Sequence, residues 1–280
     1  MDLPKSRAVA PRLEFLDTAT STNDLLREAA NGADAAGWPH GSVIVTDDQT
    51  SGRGRLGRTW LAPTGKTLAI SVLLRPGDAG SALPAEAYGW IPLIAGAAMT
   101  EAVTRAVDAA RPAEPEDPED VSGGVDVRLK WPNDVLVSGY KVCGILSELL
   151  PESGAVVVGA GLNLTLDEHD LPTLTSTSLL LATGVRPDAD AVLADYLGTL
   201  SRLFAEFAAS GGDADASGVA ATVSSLCGTL GSEVRVELPG DRELIGSAER
   251  LDADGRLVVR DRENGEEQAV AAGDVTHLRY

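Results

Sequence analysis

Between Gln49 and Trp60 the chain reads Gln-Thr-Ser-Gly-Arg-Gly-Arg-Leu-Gly-Arg-Thr-Trp, so that Arg53, Arg55 and Arg58 alternate with Gly52, Gly54 and Gly57 directly after an apolar run. Glycine lets backbone N–H groups approach a ligand closely, and arginine holds phosphate or carboxylate oxygens through two parallel hydrogen bonds. A phosphate-bearing intermediate is the natural occupant. Taken alone, the stretch also reads as a flexible basic surface loop or a weak RNA-binding tract. Its shortness, its place after a strand and the acidity of the chain count against that. A second group stands at Lys130-Trp131-Pro132-Asn133-Asp134, with Lys141-x-x-Gly144-Ile-Leu just across a turn. It brings a carboxylate, an amide and a lysine near one another, which suits ATP. Asp134 can hold magnesium, and Lys141 can neutralise charge developing on the α-phosphate as a carboxylate attacks it. Singly, Asp134 also reads as a turn residue and Lys141 as an exposed gatekeeper on a strand edge. Ser21-Thr22-Asn23 reads first as a helix N-cap, and Gly159-Ala-Gly-Leu-Asn163 as a bulged strand end. His40, His169 and His277 have no partner motif, so neither a catalytic triad nor a metal site is expected of them.

The elements that must position these residues follow from periodicity. Arg12 to Asp17 alternates like a short strand, and Ser21 opens an apolar-periodic helix through Leu25, Leu26 and Ala30, closed by Asn31-Gly32. Val43 to Thr46 and Thr67 to Leu74 read as buried strands, and Pro92 to Ala110 as a helix that Arg111-Pro112 terminates. Ala113 to Gly124 is acidic, rich in proline and glycine and without period, which predicts a mobile surface loop. Val125 to Lys130, Val135 to Val137 and Lys141 to Leu149 are strands, the last two forming a hairpin about Ser138-Gly139-Tyr140. Ala155 to Gly159 is a further strand, ending at Ala160-Gly-Leu-Asn163. Asp188 to Ala209 and Val219 to Leu226 turn helical, joined by Ser210 to Ser217. Beyond Cys227-Gly228, five short strands (233–238, 244–251, 257–260, 268–271 and 275–278) are separated by tight-turn signals, which predicts a small β-barrel. No internal repeat is visible.

Composition narrows the function class. A chain of 280 residues, 44% of them hydrophobic, can bury a sizeable core. The longest uncharged run, Tyr88 to Thr100, is too short to span a bilayer, and no signal-peptide core is visible, so a cytoplasmic location without membrane contact is the expectation. Cys143 and Cys227 lack any ligand or disulfide spacing and are expected to be plain buried thiols. With 42 acidic against 23 basic residues, the net charge of −19 repels polyanions and argues against DNA as a partner.

The blocks Ser-Thr-Asn, Gln-x-x-Gly-Arg-Gly-Arg-x-Gly-Arg-x-Trp, Lys-Trp-Pro-Asn-Asp, Lys-x-x-Gly-Ile-Leu and Gly-x-Gly-x-Asn, in this order, resemble those of bacterial biotin–protein ligases. The likeness covers nearly the whole chain, including an ending Ala272-Gly-Asp-Val-Thr-His-Leu-Arg279. It implies an α/β (α+β) fold in which a central mixed sheet flanked by helices, like a class II synthetase, spans 12–227 and an SH3-like β-barrel spans 228–280. It also implies ATP, magnesium and biotin as reactants. The biotin acceptor would be a lysine on the carboxyl carrier domain of a biotin-dependent carboxylase. Biotin contacts would fall on Ser21, Thr22, Asn23 and Gln49, with Gly52, Arg53, Gly54, Arg55, Lys141 and Gly144 completing that site. ATP would meet Arg55, Arg58, Trp60, Lys130, Asn133, Asp134, Lys141 and Asn163, with Asp134 on the metal. Lys141 and Arg55 are the expected catalytic groups. Some members carry an N-terminal winged helix that binds DNA; here the Ser-Thr-Asn block starts at residue 21, so the expectation is the type without it. A lipoate–protein ligase is the nearest alternative, disfavoured by the Arg/Gly loop and the C-terminal barrel.

Overall fold

The computed structural model describes residues 1–60, 63–79, 83–111, 125–238, 240, 242–271 and 273–278. The acidic segment expected to be a mobile loop, Ala113 to Gly124, lies outside them.

The chain starts with a short helix, α1 (Pro4–Val9), that periodicity did not announce; Pro4 stands at its first turn. Strand β1 (Leu13–Leu16) follows, then α2 (Thr22–Asn31), β2 (Val43–Thr46), the two-residue strands β3 (Gly52–Arg53) and β4 (Thr59–Trp60), and β5 (Thr67–Leu74). Helix α3 (Ile91–Ala109) leads to β6 (Val127–Lys130), β7 (Asp134–Val137), β8 (Tyr140–Leu150) and β9 (Ala155–Asn163). Seven of these strands form one mixed sheet in the order β1-β2-β5-β9-β8-β7-β6, parallel only between β1 and β2. Ser138 and Gly139, with φ of 49° and 82°, make the tight β7–β8 turn, both in the left-handed region such turns demand.

Each face of the sheet is covered. Helix α4 (Leu179–Thr183) is followed by α5 (Ala189–Ala209), capped by Asp188, and α6 (Val219–Leu226). The long α3 and α5 cover one face, where Ile70, Val72, Val158 and Ile145 join Leu93, Ile94, Leu200 and Phe204 in the main core. Helix α2 covers part of the other, where Leu26 and Ala30 meet Ile44, Leu73 and Val157. A strand buried on both faces loses its polar alternation. That is why β2 and β5 are buried at every position and read as largely apolar runs, interrupted in β5 by the buried Ser71. Helix α1 belongs to this body: the Asp190 carboxylate of α5 accepts from the Lys5 and Ser6 backbone N–H groups at 2.8 and 2.9 Å.

Strands β10 (Glu233–Leu238), β11 (Arg242–Leu251), β12 (Leu257–Asp261), β13 (Glu267–Val270) and β14 (Asp274–His277) form an antiparallel sheet ordered β13-β12-β11-β10-β14. A register shift between Ala248 and Arg250 bends β11, and Val236, Ala248, Val259, Val270 and Val275 converge into one core. This SH3-like sheet is not a separate bead. The Trp90 and Trp131 indoles donate to the carbonyls of Ala253 and Gly255 at 2.8 and 3.2 Å, and Gly228 N–H to Leu129 O at 2.9 Å.

The expected bulge at Gly159–Asn163 is absent. Pairing of β9 with β5 continues unshifted from Val156 to Asn163, because the glycines there serve close approach rather than a bend. A bulge lies instead in β8, where Val135 faces Cys143 and Leu136 faces Lys141, leaving Val142 as the extra residue.

Candidate active site

The half of the α2-side face that α2 leaves uncovered carries a cavity of about 380 Å³. Three glycines pave its floor. A Cβ on Gly159 would come within 2.4 Å of Asn23 Oδ1, one on Gly161 within 2.7 Å of the Trp60 indole, and one on Gly144 within 2.9 Å of Lys141 Nζ. Each glycine thus admits one side chain of the site to the plane of the sheet.

Asn23 and its neighbours enter from α2. Ser21 caps the helix, its Oγ accepting from Asp24 N–H at 3.3 Å, and this turns the first helical turn toward β5 and β9. Gln49 Oε1 accepts from Thr22 N–H at 2.9 Å, and Ser71 Oγ lies 2.8 Å from Thr22 Oγ1 and 2.6 Å from Asn23 Oδ1. Ser21, Thr22, Asn23 and Ser71 are buried, Gln49 is half-buried, and their amides and hydroxyls hold one another as a preformed polar subsite.

The Arg/Gly stretch is a small hairpin rather than an open loop. Gly52 faces Trp60 and Arg53 faces Thr59, with a 3-10 turn at Arg55–Gly57 whose Leu56 has φ of 56°. Arg55 Nη1 donates to Asn133 Oδ1 at 2.8 Å, and Arg58 pairs with Asp274 on β14. Gly52 sits behind the wall: its missing Cβ would come within 2.3 Å of Trp60 O, so it allows the hairpin to close without itself facing the cavity.

At the other side stand Lys130, Asn133, Asp134 and Lys141. Lys130 and Asp134 are direct partners across β6 and β7, and Asp134 faces Gly144 across β7 and β8. Lys141 Nζ meets Asp134 Oδ1 at 2.6 Å over Gly144. Asn133 Nδ2 donates to Ile145 O at 2.8 Å, which leaves its Oδ1 for Arg55. Burial lowers the pKa of Lys130, with Asp134 opposing and Lys141 adding to the effect. Burial likewise lowers that of Arg55, against Asp274 and Asp134. Cationic groups crowded into a half-buried site bind an anion that neutralises them. Among the described residues no cluster of three His, Cys, Asp or Glu side chains could hold a metal ion.

All the residues expected to meet biotin or ATP except Gly52 therefore line one cavity. Asn163 holds its end, Nδ2 donating to Thr177 O at 2.9 Å. Several contributors carried no local signal. Asp274 comes from the C-terminal sheet, and Thr175 and Ser176 come from the loop after β9. Lys141 N–H donates to Thr175 O at 2.8 Å, and Thr177 N–H to Lys141 O at 2.8 Å, so this loop grips the Lys141 backbone on both sides. Only the Gly-x-Gly-x-Asn block hinted at the roles of Gly159 and Gly161. Both cysteines are buried, and burial pushes the Cys143 thiol up to about 12, which keeps it unreactive.

The chain is similar along most of its length to known proteins. Residues 16–163 match the biotin/lipoate A/B protein ligase family, and residues 229–278 match the biotin protein ligase C terminal domain. The biotin–[acetyl-CoA-carboxylase] ligase of Mycobacterium tuberculosis is 36% identical over 96% of this chain and 90% of its own. The bifunctional ligase/repressor of Bacillus subtilis is 28% identical over 74% of this chain, which spans 58% of that protein. Among solved structures, the Aquifex aeolicus biotin protein ligase in complex with biotin and ATP aligns over 96% of this chain and 100% of its own. Its TM-score is 0.72 at 27% identity. More than half of the residues fall in the first family match, and that segment carries most of the cavity wall; the chain belongs to the biotin/lipoate A/B protein ligase family.

Proposed function

We propose that this chain activates biotin with ATP to biotinyl-5'-AMP and then transfers biotin to a lysine of a biotin carboxyl carrier domain, as in acetyl-CoA carboxylase. It is a ligase. The observation that carries this reading is the placement of Lys141, paired with Asp134 over Gly144, between two unlike subsites. On the β5–β9 side lie the neutral amides and hydroxyls of Thr22, Asn23 and Gln49, suited to an uncharged polar ring. On the β6–β7 side lie Lys130, Arg55 and Arg58, suited to phosphates. Two strand spacings, about 10 Å, separate β9 from β7, and Lys141 on β8 lies between them.

In the first step the biotin carboxylate attacks the α-phosphorus of ATP, and pyrophosphate leaves. Lys141 Nζ and the Arg55 guanidinium face the charge that builds on the α-phosphate oxygens and stabilise it in place. Positioning does the rest, since neither reactant needs a protein nucleophile. In the second step the neutral ε-amine of the acceptor lysine attacks the anhydride carbonyl; AMP leaves, and the amine proton passes to solvent or phosphate. Magnesium fits as an ion carried with the nucleotide, because Asp134 offers one carboxylate and phosphates complete such a shell. When bound it offsets phosphate charge.

The names of the similar proteins support biotin, and the C-terminal match favours it over lipoate. Among the described residues no helix is long and apolar enough to cross a membrane. The test incubates purified chain with ATP, magnesium and either biotin or lipoate, plus a small biotin-acceptor domain, and reads the acceptor by mass. A biotin adduct is expected. Lipoyl addition, or no adduct with either acid, refutes the reading.

A further inference from the structure

Glu148 lies on β8, outside the cavity wall, and no step above uses it. Its two carboxylate oxygens are shared between two parts of the site. Oε2 accepts from Asn23 Nδ2 at 2.6 Å, and Arg53 Nη2 donates to both oxygens, at 3.1 Å to Oε1 and 3.2 Å to Oε2. The first contact ends in the opening turn of α2, the second on the Arg/Gly hairpin. Arg53 has one further anchor, Asp24 Oδ1 at 2.7 Å.

The partners of Asn23 fix which way its amide points. Nδ2 spends its hydrogens on Glu148 and on Leu146 O at 3.3 Å, and Oδ1 faces Ser71 Oγ at 2.6 Å over Gly159. Turned the other way, Oδ1 would face a carboxylate. An acceptor-only group at Glu148 therefore decides the orientation, and only a carboxylate presents an acceptor at both positions, one shared with Asn23 and both facing Arg53. A glutamine in its place would set an NH₂ against one donor or the other.

We propose that Glu148 is a positioning residue that couples the orientation of the Asn23 amide to the docking of the Arg/Gly hairpin. The inference rests on the reading in which Asn23 faces biotin. It makes Glu148 the link between the two halves of the biotin side: whatever disturbs its carboxylate frees the Asn23 amide and loosens the hairpin together.

The experiment compares E148Q, E148D and D24N with wild type by two readouts, after circular dichroism has established that each is folded. Limited trypsin digestion without ligand reports hairpin docking directly, since Arg53, Arg55 and Arg58 are its cleavage sites. Steady-state adenylation reports KM for biotin and for ATP separately. E148Q is expected to be cut in the hairpin several-fold faster and to raise biotin KM about tenfold, the scale of one charge-assisted hydrogen bond, with ATP KM within about twofold. E148D, which keeps both acceptor oxygens one methylene back, falls between. D24N weakens the Asp24 pairs with Arg53 and Arg27 but leaves the Asn23–Glu148 contact, so it speeds cleavage and leaves biotin KM within about twofold. A biotin KM unchanged in E148Q, unchanged cleavage, or a D24N effect on biotin KM equal to that of E148Q overturns the proposal. If wild type makes no adenylate, the biotin reading fails on its own account, and the digestion alone decides whether Glu148 holds the hairpin.

Discussion

A regular β8 would send Lys141 into the core. Residues three apart in a strand point to opposite faces, and Gly144 lies opposite Asp134 on the cavity side while the Cys143 and Ile145 side chains join the core and touch the cavity only at its edge. The extra residue, Val142, reverses the face, so the ammonium lies over Gly144 beside Asp134. Lys141→Ala removes that charge while leaving the grip of Thr175 and Thr177 on the backbone intact. Biotinyl-AMP formation is expected to fall at least 100-fold, about 2.7 kcal/mol, with an unchanged circular dichroism spectrum. Adenylation measured by pyrophosphate exchange within about twofold of wild type would contradict this. The lysine itself was legible, since Lys-x-x-Gly across a turn from an Asp suggests its chemistry. The bulge that aims it was not, because Val142-Cys143 reads as any buried pair. Asp274 was equally hidden: an acid near a strand start carries no mark of the arginine it meets from across the molecule.

At the scale of elements, the site is made by strands that come close because side chains are missing. Gly159 and Gly161 on β9 read as a break in the strand, whereas the pairing runs through unshifted. The physical reason is that a strand glycine signals either a bulge or a close approach, and only the partner decides which. Gly159→Ala tests the second reading. The new methyl would come within 2.4 Å of Asn23 Oδ1, and Asn23 is buried and held on both sides, so α2 must shift or the amide must leave its partners. Biotin KM is expected to rise at least tenfold and ATP KM far less, with stability lower by about 1–3 kcal/mol from overpacking. Equal changes in both KM values, measured by initial rates, would refute a local effect. Helix α1 shows the same limit of local reading, for a six-residue helix is held by the Asp190 carboxylate rather than by its own periodicity.

The whole molecule behaves as one folding unit if its cores are as continuous as its contacts. The central-sheet strands and the C-terminal sheet place their buried residues in one cluster, and the Trp90 and Trp131 indoles donate across the boundary. Separating the two parts would leave both N–H groups and the apolar faces of these buried rings to water, a penalty large against the stability of a typical domain. Calorimetry is expected to give one transition with equal calorimetric and van't Hoff enthalpies; two resolved transitions would show that the C-terminal sheet unfolds alone. The pH dependence of that transition has an assignable sign at His40. Its ring stacks on Phe204, and burial and the nearby Arg75 lower its pKa against the pull of Asp78. Nδ1 accepts from Arg75 N–H at 3.0 Å, which only the unprotonated nitrogen can do. The unfolded chain takes up the proton near the ordinary histidine value of about 6.5, while the folded chain resists until lower pH, so stability falls as pH drops through that window. Other groups titrate there too, and His40→Asn isolates the share of this ring, because an amide oxygen can replace the Nδ1 acceptor without titrating. Between pH 7.5 and 5.5, the urea midpoint of His40→Asn is expected to fall less than that of wild type. Parallel midpoints would mean that His40 protonates alike in both states and that its bond to Arg75 does not bias folding.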